Sequence, residues 1–238
     1  MNLPDPGASP GAPLDSKFWG TLTRQPRWGL SWRGRFALLA IIVILGGVFV
    51  LKAHDFLAVT HRVDTNILVV EGWIENYALR AAVVEFTNGG YHQLYTTGGP
   101  IVGDGGYSND YRTSASVGAE QLIKLGMPRD RVQLVATHEI GRDRTYQSAV
   151  ALRDWFRAHH LEVRKLNVLT EDAHGRRSRL LYEMAFGRDV EIGIISEANP
   201  DYDPARWWRY SAGVREIISE ATAYLYARIF FHPPRPAN

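Results

Sequence analysis

Ile67-Leu68-Val69-Val70-Glu71-Gly72-Trp73 is the stretch on which the reading of the fold turns. Four apolar residues in a row, followed by a charge and a glycine, suit a short strand buried on both faces. A helical pattern follows at 78–86 and stops at Gly89-Gly90. The same alternation then repeats. Residues 93–96 read as a second strand ended by Gly98-Gly99, and a glycine-rich loop covers 100–107. Residues 113–125 are helical, with Val117, Leu122 and Ile123 inward and Gly126 and Pro128 as stop signals. A strand at 132–135 precedes a helix at 145–159, whose stripe runs through Ala149, Leu152, Trp155 and Phe156. A strand at 166–169 precedes a helix at 174–186 with Leu180, Leu181 and Met184 on one face, and a fifth strand occupies 190–195. Val214, Ile217, Ile218, Ala221, Tyr224, Leu225 and Ile229 mark a long last helix. Strands separated by single helices imply crossover connections. The expected fold is therefore α/β, an open, mostly parallel five-stranded sheet flanked by helices.

Upstream lies an uninterrupted apolar run, 36–51. Lys17, Arg24, Arg27, Arg33 and Arg35 precede it, and no acidic residue separates Asp15 from it. Basic residues stay in the cytoplasm while an apolar segment inserts. This predicts a single-pass signal anchor over 35–55 in the plasma or inner membrane, with the N-terminus cytoplasmic and the domain at 56–238 outside. The run alone rises about 24 Å as a helix, short of the roughly 30 Å core, so Arg35 and Lys52 are expected to snorkel. A cleaved signal peptide fits poorly, because no small-x-small site follows and the basic region is long. Residues 1–34, with Pro4, Pro6, Pro10 and Pro13, are expected to be a disordered basic tail. The partner implied by 35–55 is the lipid bilayer.

A net charge of +2 makes no case for nucleic acid. The absence of cysteine excludes disulfides, zinc–thiolate sites and a cysteine nucleophile. No Gly-x-Gly-x-x-Gly, P-loop or Gly-x-Ser-x-Gly pattern occurs. Glu171, Asp172 and His174 match no metal-ligand spacing, so no metal is assigned and the cofactor is unknown.

In an open parallel sheet the ligand lies beyond the carboxyl ends of the strands. That rule selects the loops 71–73, 96–99, 137–145 and 170–177. Gly98-Gly99 lets main-chain amides approach an anion or simply makes a tight turn. His174 and Arg177 share one face at a helix start, where histidine can exchange protons and arginine can grip phosphate. An exposed basic helix end, with Arg176 and Arg179, is the plainer reading. Thr145 either caps a helix or follows an Asp143 cap. Glu71 is a base, an acceptor for a ligand hydroxyl, or an ion-pair partner of Arg80 or Arg177.

Together these loops resemble the bacterial SanA/ElyC/YdcF family, a domain of unknown function with a Rossmann-like fold. The resemblance covers roughly 64–230. Its carriers are Glu71-Gly72 with Arg80, Thr97-Gly98-Gly99, Gly126-Met127-Pro128, Thr145 opening a helix, and Thr170, His174 and Arg177 after the fourth strand. Departures stand beside them. Glu71 replaces a glycine, a family glutamate falls at about Ser114, and a Glu-Asn pair becomes Gln147-Ser148. The resemblance implies a role in envelope maintenance, with an anionic, phosphate-bearing envelope precursor as ligand. Phosphoester hydrolysis or group transfer would use His174 and Glu71 as catalytic groups. The ligand would meet Gly72, Trp73, Arg80, Thr97, Gly98, Gly99, Thr145, Thr170 and Arg177. The lost carboxylates support an alternative, a non-catalytic binding or scaffold module.

Overall fold

The structure, a computed structural model, describes residues 31–102, 108–138 and 143–233. The expected tail up to residue 30, most of the loop 100–107 and Arg142 lie outside these residues. The chain divides into two compact units, Met1–Gly46 and Gly47–Asn238.

Helix α1 (Trp32–Leu57) has 26 residues, about 39 Å at the helical rise. Among the described residues it is the one helix long and apolar enough to cross a membrane. It is longer than its apolar run and takes in Trp32 to Gly34, which sequence placed in the tail, so the expected shortfall in length does not arise. From Gly47 onward the helix belongs to the second unit. Val50, Ala53 and Leu57, spaced along one helical face, pack with Ala173, Tyr202, Trp207 and Ile217.

The second unit alternates strand and helix. Its elements are β1 (Ile67–Glu71), α2 (Asn76–Asn88), β2 (Gln93–Gly98), β3 (Pro100–Val102), β4 (Ser108–Thr113), α3 (Ser114–Lys124), β5 (Val132–Ala136), α4 (Arg144–Ala158), β6 (Lys165–Glu171), α5 (Gly175–Phe186), β7 (Glu191–Glu197) and α6 (Ser211–Ile229). Five strands form one sheet in the order β5-β2-β1-β6-β7, every neighbour pair parallel. From β1 the chain moves outward through β2 to β5, then returns to the other side of β1 with β6 and β7. This Rossmann-like order puts a topological switch point between β1 and β6. Sequence left 100–107 as a loop. Residues 100–102 instead form β3, which pairs antiparallel with β4, while 103–107 lie outside the described residues.

Strand parity decides what reaches the site. Leu68 and Val70 face the core shared with α2 and α3, where Ala78, Leu79, Ala82 and Leu122 meet them. Val69 faces the opposite core with Leu152, Leu181 and Tyr182 of α4 and α5. Glu71 has the parity of Val69, Thr97 that of Tyr95, and Thr170 that of Val168. Polar side chains at the carboxyl ends of three adjacent strands therefore turn toward one helix, α5.

Candidate functional site

Glu71 is 2% exposed. Thr170 Oγ1 donates to its Oε2, and Ser178 Oγ on α5 lies 3.0 and 3.1 Å from its two oxygens. Burying a carboxylate is costly without such donors. Neither arginine that sequence offered as its partner reaches it. Arg80 is exposed on α2, outside the site, and Arg177 is engaged elsewhere. The ionisable side chain that approaches Glu71 is His174, whose Nε2 lies 3.6 Å from Oε2.

His174 follows β6 through a single 3-10 turn, Asp172–His174. The turn is set by Asp172, a buried non-glycine residue with φ 26°, a sparsely occupied backbone region. Asp172 is held on both carboxylate oxygens, by His54 Nε2 at 2.8 Å and by the Tyr202 hydroxyl. The His174 ring packs edge-on against Trp73, with centroids 4.8 Å apart. Arg177 Nη2 lies 2.9 Å from Nδ1, which accepts from it when the ring is neutral and protonated on Nε2; an Nδ1 that carries a proton faces Glu220 instead. Nε2 is buried and has no hydrogen-bond partner. Glu220 Oε1 lies 3.1 Å from Nδ1, so a charged ring would meet a carboxylate near each nitrogen.

Glu220, on α6, is the residue that sequence reasoning missed. It binds Arg177 through two bonds, Nε to Oε2 at 2.7 Å and Nη2 to Oε1 at 3.0 Å. Burial opposes its charge, but His174 and Arg177 outweigh burial and hold its carboxyl down at about 2. No motif marks it. The only signal was a carboxylate next to the apolar stripe of the last helix, close to Ile217 and Ala221, and Glu216 on the same helix gave the same signal. Arg177 is therefore not the exposed helix-end cation that the plainer reading supposed.

Around these groups lies a cavity of about 460 Å³. Thr97 and Gly98 line it from β2 with Gly99 just beyond, Ser114 from the start of α3, Arg144, Thr145 and Ser148 from α4, His174 from the turn before α5, and Arg177 and Glu220 from α5 and α6. Trp73 and Glu71 contribute as well, with Leu181, Tyr226 and Phe231 among the apolar lining residues. The arrangement brings the starts of α3 and α4 to one cavity, where the positive end of each helix dipole favours an anion, although at α3 the Ser114 and Ser116 amides are already bonded to Gly99 and Thr113. Ser114 and Ser148, two of the departures from the resembled pattern, both line it, whereas Gln147 does not.

Of the residues singled out from sequence, Glu71, Trp73, Thr97, Gly98, Gly99, Thr145, His174 and Arg177 line the cavity. Thr170 is buried beneath it and serves Glu71. Thr145 sits inside α4, whose cap position is Asp143, and the Asp143 side chain makes no capping bond. Gly72 does not line the cavity. A Cβ there would lie 2.3 Å from the Ser114 carbonyl oxygen and 2.8 Å from the Ala115 Cα. It is the point where α3 crosses the end of β1. Gly98 has φ 153° and its Cβ would come within 2.9 Å of the Ala115 nitrogen, so both its conformation and the close approach of α3 require glycine.

Glu171, just outside the cavity, titrates unusually. Burial pushes its carboxyl up, and the nearby charges of Glu75 and Glu216 add to this. A main-chain bond from Glu75 offsets part of it, leaving the group at about 7.

No protein-family model, no curated protein and no solved structure matches this chain.

Proposed function

We propose that the chain is a membrane-tethered envelope protein of the SanA/ElyC/YdcF kind, with its α/β domain outside the cytoplasm. Its cavity binds and processes an anionic, phosphate-bearing envelope precursor by phosphoester hydrolysis or group transfer. The observation that carries this reading is His174 Nε2, buried in the cavity without a partner while Arg177 and Glu220 hold the other ring nitrogen. A buried donor left unpaired costs about 1–3 kcal/mol, a cost that a ligand oxygen would relieve.

In the hydrolytic form the His174 ring starts as imidazolium, its Nδ1–H facing Glu220; water attacks phosphorus, the ester P–O bond breaks, the departing oxygen takes the Nε2 proton, and a proton of the attacking water then returns to Nε2. Glu71, fixed by Thr170 and Ser178, offsets the charge changes at the ring. The anion is met by amides around Gly98-Gly99 and by the starts of α3 and α4. Arg144 is the cavity-lining arginine without a partner among the described residues. Arg177 is neutralised by Glu220, so it positions His174 rather than gripping phosphate alone. Helix α1 supports the tether. Its His54 bonds Asp172 beside His174, so the α1 end meets the sheet edge that carries the cavity.

Phosphate release from lipid-linked and soluble phosphoesters by the full-length chain tests the reading. His174→Ala should lower release by about 10²–10⁴-fold, the scale of general acid–base catalysis. The Arg177–Glu220 pairing and the serines at 114 and 148 favour the second reading, a binding module. Retained phosphoester binding with no release by the wild-type chain would select it.

A further inference from the structure

The segment Asp203-Pro204-Ala205-Arg206-Trp207-Trp208-Arg209-Tyr210 takes no part in the cavity. Its 3-10 turn, Pro204–Arg209, buries Trp207 but leaves Trp208 38% and Tyr210 42% exposed. Trp207 Nε1 donates to the Val50 carbonyl of α1 at 2.9 Å, and its ring meets Phe49 edge-on at 6.1 Å. Trp208 stands edge-on to Trp207 at 6.0 Å. Arg206 is 62% exposed beside Asp203 at 4.0 Å. Arg209 is exposed and has no partner among the described residues. Val48, Phe49 and Leu51 of the same compact unit are exposed too.

Depth follows from helix length. About 20 helical residues cross the hydrocarbon core. Counted from Phe36, the far boundary falls near Asp55, and Val50 lies about 7 Å inside it. Counted from Trp32, the boundary falls near Leu51 and Val50 is still inside. An indole bonded to the Val50 carbonyl cannot then sit in bulk water. Tryptophan and tyrosine favour the headgroup level, and arginine favours lipid phosphate.

We infer that Trp208 and Tyr210 embed in the headgroup region of an anionic bilayer, with Arg206 and Arg209 on its phosphates. This rests on reading α1 as a membrane span. The segment would fix the domain against the membrane at a second point, rather than leaving it to swing on one helix.

The chain has no cysteine, so single-cysteine variants accept one fluorophore each. Full-length Trp208→Cys and, separately, Tyr210→Cys are labelled in nanodiscs of phosphatidylcholine with phosphatidylglycerol. Headgroup-attached nitroxide lipid should remove at least about half of the emission from each, as for groups at the interface. A label at Glu162→Cys, in the loop between α4 and β6, should keep its emission. A label at Ile42→Cys should be quenched by a nitroxide deep in the acyl chains. If Ile42→Cys is not quenched, the span reading falls and this inference falls with it. If Ile42→Cys is quenched while 208 and 210 behave like 162, the span stands and this inference is overturned. Combining Arg206→Gln with Arg209→Gln should remove any gain in quenching caused by phosphatidylglycerol. A gain that persists would overturn the arginine contacts.

Discussion

Removing the Glu220 charge is the sharpest test of the site as built. Its carboxyl is held at about 2, against an ordinary 4.5, because His174 and Arg177 outweigh the cost of burial. That separation corresponds to about 3 kcal/mol of folding free energy, at about 1.4 kcal/mol per tenfold change in proton affinity. The sign follows from the direction. A depressed carboxyl contributes its full stability above pH 4.5 and loses it as pH falls toward 2. Glu220→Gln keeps the shape and one acceptor but not the charge. It should cost about 3 kcal/mol at pH 7 and much less near pH 2.5. The assay is urea unfolding of the full-length chain in detergent, followed by tryptophan fluorescence at both pH values. Arg177→Ala should also destabilise, because it leaves Glu220 without its bidentate partner, although sequence alone expected an exposed arginine of little consequence. A Glu220→Gln variant within about 0.5 kcal/mol of wild type at pH 7, the range of ordinary surface substitutions, would refute the reasoning.

Glu171 should act with the opposite sign. Its carboxyl is raised to about 7 by burial, so it withdraws stability as pH rises from 4.5 through 7. Glu171→Gln should therefore stabilise by about 1–2 kcal/mol at pH 8, discounted for partial exposure, and by little at pH 4; equal effects at both pH values would count against it. Gly72→Ala should destabilise by about 2 kcal/mol or more, because its Cβ meets α3 main chain rather than a movable side chain. An unchanged urea midpoint would show that α3 does not seat there as described. Removing residues 1–46 should leave a folded α/β unit. Removing 1–57 should cost about 3 kcal/mol or more, since Val50, Ala53 and Leu57 leave the third core cluster; thermal melts of the two truncations decide it.

Much of the sheet was readable because strands buried on both faces declare themselves as apolar runs. Residues 67–70 and 166–169 fall inside β1 and β6, and 191–195 of the expected 190–195 fall inside β7. Two features escaped. The β3–β4 pair is made by main-chain bonds between short strands with no apolar run or alternation to announce them. The attachment of α1 to the domain was hidden because 36–51 reads as lipid-facing throughout. The stripe of Val50, Ala53 and Leu57 that packs on Tyr202 and Trp207 begins inside that run and continues past it.

The site divides along a different line. Position was legible: carboxyl ends of parallel strands point to the loops that hold Glu71, Thr97, Gly98, His174 and Arg177, and the cavity gathers all five. Pairing was not legible, because the deciding partner comes from α6, 43 residues beyond Arg177. That partner changes the chemistry. Read alone, Arg177 is a free cation for phosphate. Read with Glu220, it is a neutralised brace whose Nη2 also reaches His174 Nδ1. In the proposed function, attraction for an anion then falls to Arg144 and the helix starts that line the cavity, and Nε2, the ring nitrogen without a hydrogen-bond partner, is the one left to face the ligand.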